Sequence, residues 1–231
     1  MLMLCVSDIH GNLDALRAVL ATAERRAFHK LLVAGDVVFS GLDDPRASQP
    51  LETWRRLTAA GAIMVQGVTD RAISTLDPTK IDASSDHEKR MLERMKAVRA
   101  ELGDLVLERL RRLPTQVRFP LEDGGELLLV HGSPADPSEA MTQDMTDEEL
   151  SALIGDDPAD LVVCGMSHVP FDRQIGHVRV VNVGSVGESP DNVGPREPPL
   201  VAHAAWIESR PSGLFVEPIV VPLREETLKT G

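Results

Sequence analysis

The sequence predicts an α/β protein with more than one sheet. Two patterns predict it. The first half alternates short apolar runs with amphipathic stretches, and the second half is richer in hairpin signals. A third observation points to where a site would form: several apolar runs end in the same Gly, Asp and His punctuation. No linker, repeat or low-complexity segment interrupts residues 1–231, so one domain is expected.

Met1–Ser7 reads as a buried strand, followed by the turn-rich Asp8-Ile9-His10-Gly11-Asn12. Leu13, Leu16, Val19 and Leu20 recur at helical spacing, which predicts a helix from an Asn12 N-cap to about Phe28. Lys30–Ala34 is a second strand, stopped by Gly35-Asp36; strand, helix and strand make a right-handed βαβ unit. Residues 40–50 form a loop, a helix runs through Trp54 and Leu57 to about Ala60, and Ala62–Gln66 is a third strand. Residues 71–90 read as loop up to a long helix from Asp86 to Leu113. Its apolar stripe is Leu92, Met95, Val98, Leu102, Leu105 and Val106, and Gly103 is placed to split it.

Gln116–Leu121 and Glu126–Val130 form a hairpin through Glu122-Asp123-Gly124-Gly125. Thr146 to Glu149 reads as a capping box opening a helix through Leu150, Leu153 and Ile154. Leu161–Cys164 is a short buried strand. Asp172–Ile175 and Val178–Val183 form a hairpin turning at Gly176-His177. Strands near Val201–Ile207 and Leu214–Val221 close the fold, and the polar tail from Arg224 is expected to fray.

Composition narrows the function classes. The net charge is −12, from 24 basic and 36 acidic residues, which disfavours general nucleic-acid binding. A phosphate substrate stays compatible if a cation supplies local positive charge. No run reaches transmembrane length and no leader pattern is readable, so a cytoplasmic protein without membrane contact is expected. Cys5 and Cys164 sit in strands and read as small core residues. Oligomeric state has no sequence signal.

The chemistry lies at the strand ends. Strands finish at Asp8-Ile9-His10, Gly35-Asp36, Gly67-Val68-Thr69-Asp70, His131-Gly132 and Gly165-Met166-Ser167-His168. In open α/β folds ligands bind beyond the carboxyl ends of strands, so these tips should converge. In extended chain residues two apart face one side, so Asp8 and His10 are expected to reach one ion. Gly35 leaves the backbone free to turn sharply and present Asp36. Carboxylates beside imidazoles suit a divalent ion such as Mn, Fe, Zn or Ni. His29, His87, His177 and His203 match no strand-end motif and are expected at the surface or in turns. Ser133 has no His-Asp relay beside it and is assigned to its loop.

Taken in order, these motifs resemble the calcineurin-like metallophosphoesterase superfamily, and Asn182-Val183-Gly184-Ser185 resembles the Asn-Pro-Gly-Ser signature of its smaller bacterial branch. The resemblance implies a two-sheet αββα sandwich and metal-dependent hydrolysis of a phosphate monoester or diester. It implies one ion held by Asp8, His10, Asp36 and His168. A second ion would share Asp36 and take His131. Two ligands of that second ion are replaced: the usual Asn is Val68 and the usual first His is Met166. Val has no donor atom and a thioether is a soft ligand, so one firm ion and a second held weakly or not at all are expected. Asp36 and Asp70 are the candidate catalytic carboxylates, and Arg71 is a candidate substrate-phosphate contact. The substrate expected is a small phosphate ester. The alternative is a non-catalytic binding module, as in the superfamily's retromer subunit with degraded metal ligands.

Overall fold

The structure is a computed structural model that describes residues 1–41, 48–190 and 200–223. The expected loop at 40–50 falls mostly outside these residues, and the tail from Arg224 falls wholly outside them.

The first sheet contains β1 (Leu2–Val6), β2 (Lys30–Val33), β3 (Ile63–Met64), β9 (Leu200–Arg210) and β10 (Gly213–Leu223), in the order β10-β9-β1-β2-β3. β1, β2 and β3 run parallel, as the repeated strand–helix unit predicted, while β9 and β10 are antiparallel. The second sheet contains β4 (Gln116–Pro120), β5 (Glu126–Val130), β6 (Leu161–Cys164), β7 (Phe171–Ile175) and β8 (Val178–Asn182), in the order β4-β5-β6-β8-β7. The expected hairpins are present as the antiparallel pairs β4–β5 and β7–β8.

Strand alternation makes the layers. Met3 and Cys5 of β1 point to one side, where Leu127 and Leu129 of β5 and Leu161 and Val163 of β6 meet them. That shared core packs sheet on sheet. Leu2, Leu4 and Val6 face the other way, onto the helices α1 (Leu13–Ala23), α2 (Pro50–Ala59) and α4 (Asp86–Arg111). Leu128, Val130, Val162 and Cys164 face outward from the second sheet, onto α5 (Asp147–Ile154). The result is the helix–sheet–sheet–helix sandwich that the resemblance implies. Cys5 and Cys164 are buried and unpaired. Among the described residues no helix is long and apolar enough to cross a membrane.

Three readings need correction. α1 stops at Ala23, short of Phe28, whose ring lies 5.8 Å from that of Trp206 between centroids and tilted by 51° to it. Gly103 breaks α4 with φ 70°, and the buried stripe changes phase across it: Met95, Val98 and Leu102 before, Leu107 and Leu110 after. Leu105, placed on the stripe by simple periodicity, is 68% exposed. Finally, the start of the expected 71–90 loop belongs to a further helix, α3 (Val68–Thr75).

Leu32 lies fully buried between the sheets on β2, the strand that leads to Asp36. Leu32→Ala is expected to lower stability by about 2–5 kcal/mol, measured by urea unfolding.

Candidate metal centre

The strand tips converge as expected, by a different backbone route. Among the described residues, the non-glycine positions with positive φ are Asp8 (52°), His10 (50°), Asp36 (52°), Met166 (65°) and His168 (62°). All belong to the strand-end motifs. Asp8 and His10 therefore sit on left-handed turns, not in extended chain, and the alternation argument for them is replaced by turn geometry. Left-handed backbone costs on the order of 1–3 kcal/mol per non-glycine residue, so it persists only where neighbours over-determine it.

The neighbours are visible. The amides of Asp8, His10 and Gly11 donate to the carbonyls of Gly35, Asp36 and Val37, which zips the first two motifs side by side. The Ser185 hydroxyl donates to the Asp8 carbonyl at 2.9 Å, and the Gly187 amide donates to the same oxygen. Asn182 donates to the Gly165 carbonyl at 2.5 Å and accepts from the Gly184 amide at 2.9 Å. The signature-like segment thus clamps the first and last motifs. Gly165 passes so close to strand β1 that a Cβ there would meet the Ser7 hydroxyl at 1.9 Å and an Asp8 carboxylate oxygen at 2.4 Å. At Gly35, φ is 90° and a Cβ would meet His131 Nδ1 at 2.7 Å.

The three imidazoles of the site share one arrangement. Nδ1 of His10 faces the Phe39 carbonyl at 2.8 Å, Nδ1 of His131 the Ala34 carbonyl at 2.7 Å, and Nδ1 of His168 the Glu188 carbonyl at 3.0 Å. A carbonyl can only accept, so each Nδ1 carries a proton, and in the neutral ring the Nε2 lone pair is left to bind a cation. These lone pairs point inward. His10 and His168 bring their Nε2 atoms within 3.2 Å of each other, and His168 Nε2 lies 3.2 Å from Asp8 Oδ1. His131 Nε2 lies 3.3 Å from Asp36 Oδ2. Asp8 Oδ1 and His131 Nε2 are buried and make no hydrogen bond.

Inward-facing acceptors at such spacing repel unless a cation lies among them. Two ligands about 2.1 Å from one ion stand roughly 3.0–3.5 Å apart. The donor set therefore fits a divalent ion. The donor atoms form two groups, each within 4.8 Å: Asp8, His10 and His168, then Asp8, Asp36 and His131. All five expected ligands come together, but the residue common to both groups is Asp8, where the resemblance had Asp36 shared.

Burial lowers the His131 pKa, but the adjacent Asp36, then Asp8, raise it to about 10, so the site favours positive charge. Burial disfavours charge on His168, yet Asp8 and Glu188 outweigh it and raise its pKa above the ordinary imidazole value. Burial pushes Asp36 up, and the adjacent His131, then His10, more than reverse this and hold it below the usual carboxylate range. Burial and the charge of Asp36 push Asp70 up to about 6.

The third motif starts α3. Asp70 accepts from the Val37 amide at 2.9 Å and the Gly67 amide at 3.2 Å, so both its oxygens face backbone. The Thr69 amide donates to Asp36 Oδ1 at 2.8 Å, while the Thr69 hydroxyl is buried without a hydrogen bond. Val68 is 39% exposed in the first turn, and the Met166 amide donates to Asp8 Oδ2 at 3.0 Å. Both replaced positions keep a backbone place beside the site and bring no hard donor. Arg71 is exposed in α3, and its charge reaches Asp136 in the loop after His131. Ser133 is fully buried and its hydroxyl bonds the Asp136 backbone, the loop role expected for it.

Two residues escaped the sequence reading. Glu188 follows the signature-like segment and lies beside His10 and His168. A lone acidic residue in a Gly- and Pro-rich stretch carries no signal by itself. His203 is buried on β9 at 4% exposure, not at the surface, and its ring packs where a Cβ on Gly184 would stand. Its position inside an apolar run was the available signal. His87 and His177 are exposed as expected, and so is His29, which accepts from the Leu2 amide.

An uncharacterized protein of Methanocaldococcus jannaschii is 25% identical over 206 residues, 81% of this chain and 77% of that one. The crystal structure of a hypothetical protein from Pyrococcus horikoshii superposes with a TM-score of 0.75 at 21% identity, covering 99% of this chain and 90% of that one. A metallophosphoesterase from Sphaerobacter thermophilus gives 0.71 at 20% identity, covering 99% and 96%. The sequence model of the calcineurin-like phosphoesterase superfamily domain matches residues 1–198, which contain every strand-end motif described above. The chain belongs to the calcineurin-like phosphoesterase superfamily.

Proposed function

We propose that this protein is a metal-dependent hydrolase of a small phosphate monoester or diester. It works with a firm ion at Asp8, His10 and His168, adjoined by Asp36. A second ion at Asp36 and His131 is weak or absent. The observation that carries this reading is the fixed tautomer of all three histidines, which aims three Nε2 lone pairs and Asp8 Oδ1 into one space. Family membership supports the reaction class. A divalent ion bound there supplies Lewis acidity and lowers the pKa of a coordinated water.

The chain's own residues have defined parts. The carbonyls of Phe39, Ala34 and Glu188 hold the Nδ1 proton of each imidazole, which leaves Nε2 as its ligand atom. Asp70 acts as a positioning residue, since its oxygens hold the Val37 and Gly67 amides on either side of Asp36. This sharpens its expected catalytic part into an indirect one. The Thr69 hydroxyl is free to donate to a substrate oxygen. Arg71, exposed on α3, is the proposed contact for a phosphate arriving at the helix N-terminus. The two free thiols, Cys5 and Cys164, fit a cytoplasmic setting.

The second reading is a non-catalytic binding module, favoured by the loss of donors at Val68 and Met166. Turnover separates the two. With added Mn, p-nitrophenyl phosphate or its bis ester is expected to be hydrolysed. Asp36→Asn should reduce the rate by more than the roughly 10–100-fold that follows loss of a supporting residue around a metal. No turnover of a mono- and diester panel with any divalent ion would leave the binding reading in place. The double change Val68→Asn with Met166→His is expected to raise the rate about tenfold by restoring donors to the second ion. An unchanged rate would show that the second site is not what limits activity.

A further inference from the structure

Glu188 is anchored at the site from four directions. Its amide donates to the Ser185 hydroxyl at 2.7 Å, and Ser185 in turn holds the Asp8 carbonyl. Its own carbonyl fixes the His168 ring. One carboxylate oxygen accepts from the Ser40 hydroxyl. The other, Oε2, lies 3.6 Å from His10 Nε2, and the side chain is only 13% exposed. Among the described residues no Lys or Arg pairs with it.

That placement is unfavourable for an anion alone. His10 gives its Nδ1 proton to the Phe39 carbonyl, so a neutral ring turns a lone pair toward the Glu188 carboxylate. Two acceptors facing each other, both held by other bonds, lower their energy by sharing a cation. Their separation is close to the roughly 3.0–3.5 Å expected for two ligands of one ion. Asp8 Oδ1, buried without a hydrogen bond, faces the same ring 3.8 Å away.

We propose that Glu188 is a further ligand of the ion held by Asp8, His10 and His168. It adds a carboxylate oxygen from the side of His10 that Ser40 lines. The proposal rests on the metal-site reading above. It also gives the first site a third nearby carboxylate, with Asp8 and Asp36, to neutralise a divalent ion. A site so supplied does not need a second ion to balance its charge, which matches the loss of donors at Val68 and Met166.

The test measures binding, not turnover. Full-length protein washed with chelator is titrated with Mn by calorimetry, as wild type, Glu188→Gln and Glu188→Ala. Both variants are expected to bind about 10–100-fold more weakly. Gln can still accept from Ser40, so the thermal midpoint of metal-free Glu188→Gln should match wild type, which separates lost ligation from lost folding. Loaded with Co, Glu188→Gln should shift the visible d–d absorption, a change that remote charge alone does not produce. Affinity and spectrum both equal to wild type would overturn the proposal while leaving the first site standing. A wild-type protein that binds no divalent ion would overturn both.

Discussion

The site depends on three hydrogen bonds that carry no side-chain signature: the Nδ1–H groups of His10, His131 and His168 given to the carbonyls of Phe39, Ala34 and Glu188. Each bond fixes a ring's tautomer and its orientation together. Without them an imidazole can swing, or carry its single proton on Nε2 and turn no lone pair inward. The carbonyls come from β-strand ends and the loops just beyond, so the two-sheet frame decides where each lone pair points. Ala34 ends the β2 region, on the neighbouring sheet to His131, so that bond also ties sheet to sheet across the site.

Left-handed backbone at Asp8, His10, Asp36, Met166 and His168 is the counterpart of that arrangement. The turns bring donors from separate strands within ligand distance, and close contacts at Gly35 and Gly165 leave no room for relaxation. Asn182, Ser185 and Asp70 spend their polar atoms on backbone for the same purpose. Met166 is informative because it keeps the left-handed turn and the amide bond to Asp8 while lacking an imidazole. Under the proposed reading this is the mark of a second ion's place that keeps its backbone and lacks a donor.

Most of the fold was legible because its strands are short apolar runs with clear punctuation; the sandwich layering came from the resemblance, since a uniformly apolar run such as Leu127 to Val130 shows two covered faces but not what covers each. α3 escaped because it is eight residues long and starts at Gly67 and Val68, neither a helix signal; only Asp70, bonded back to the Gly67 amide, marks its start. Leu105 was misplaced because periodicity assumes an unbroken helix, and Gly103 resets the phase. The five candidate ligands were readable as motifs. Asp8's place in both donor groups was not, since it depends on distances between strands far apart in sequence. Glu188 and His203 were hidden for the same reason: their partners are Ser40, His10, Gly184 and Ser185, and no local pattern links them.

The account makes the two donor groups unequal, the first complete and the second depleted. A crystal soaked in Mn and recorded at an anomalous wavelength measures that inequality directly. It should show one strong peak beside Asp8, His10 and His168, and a weak peak or none between Asp36 and His131. Two peaks of equal, full occupancy would contradict the account, because Val68 and Met166 would then have cost the second ion nothing.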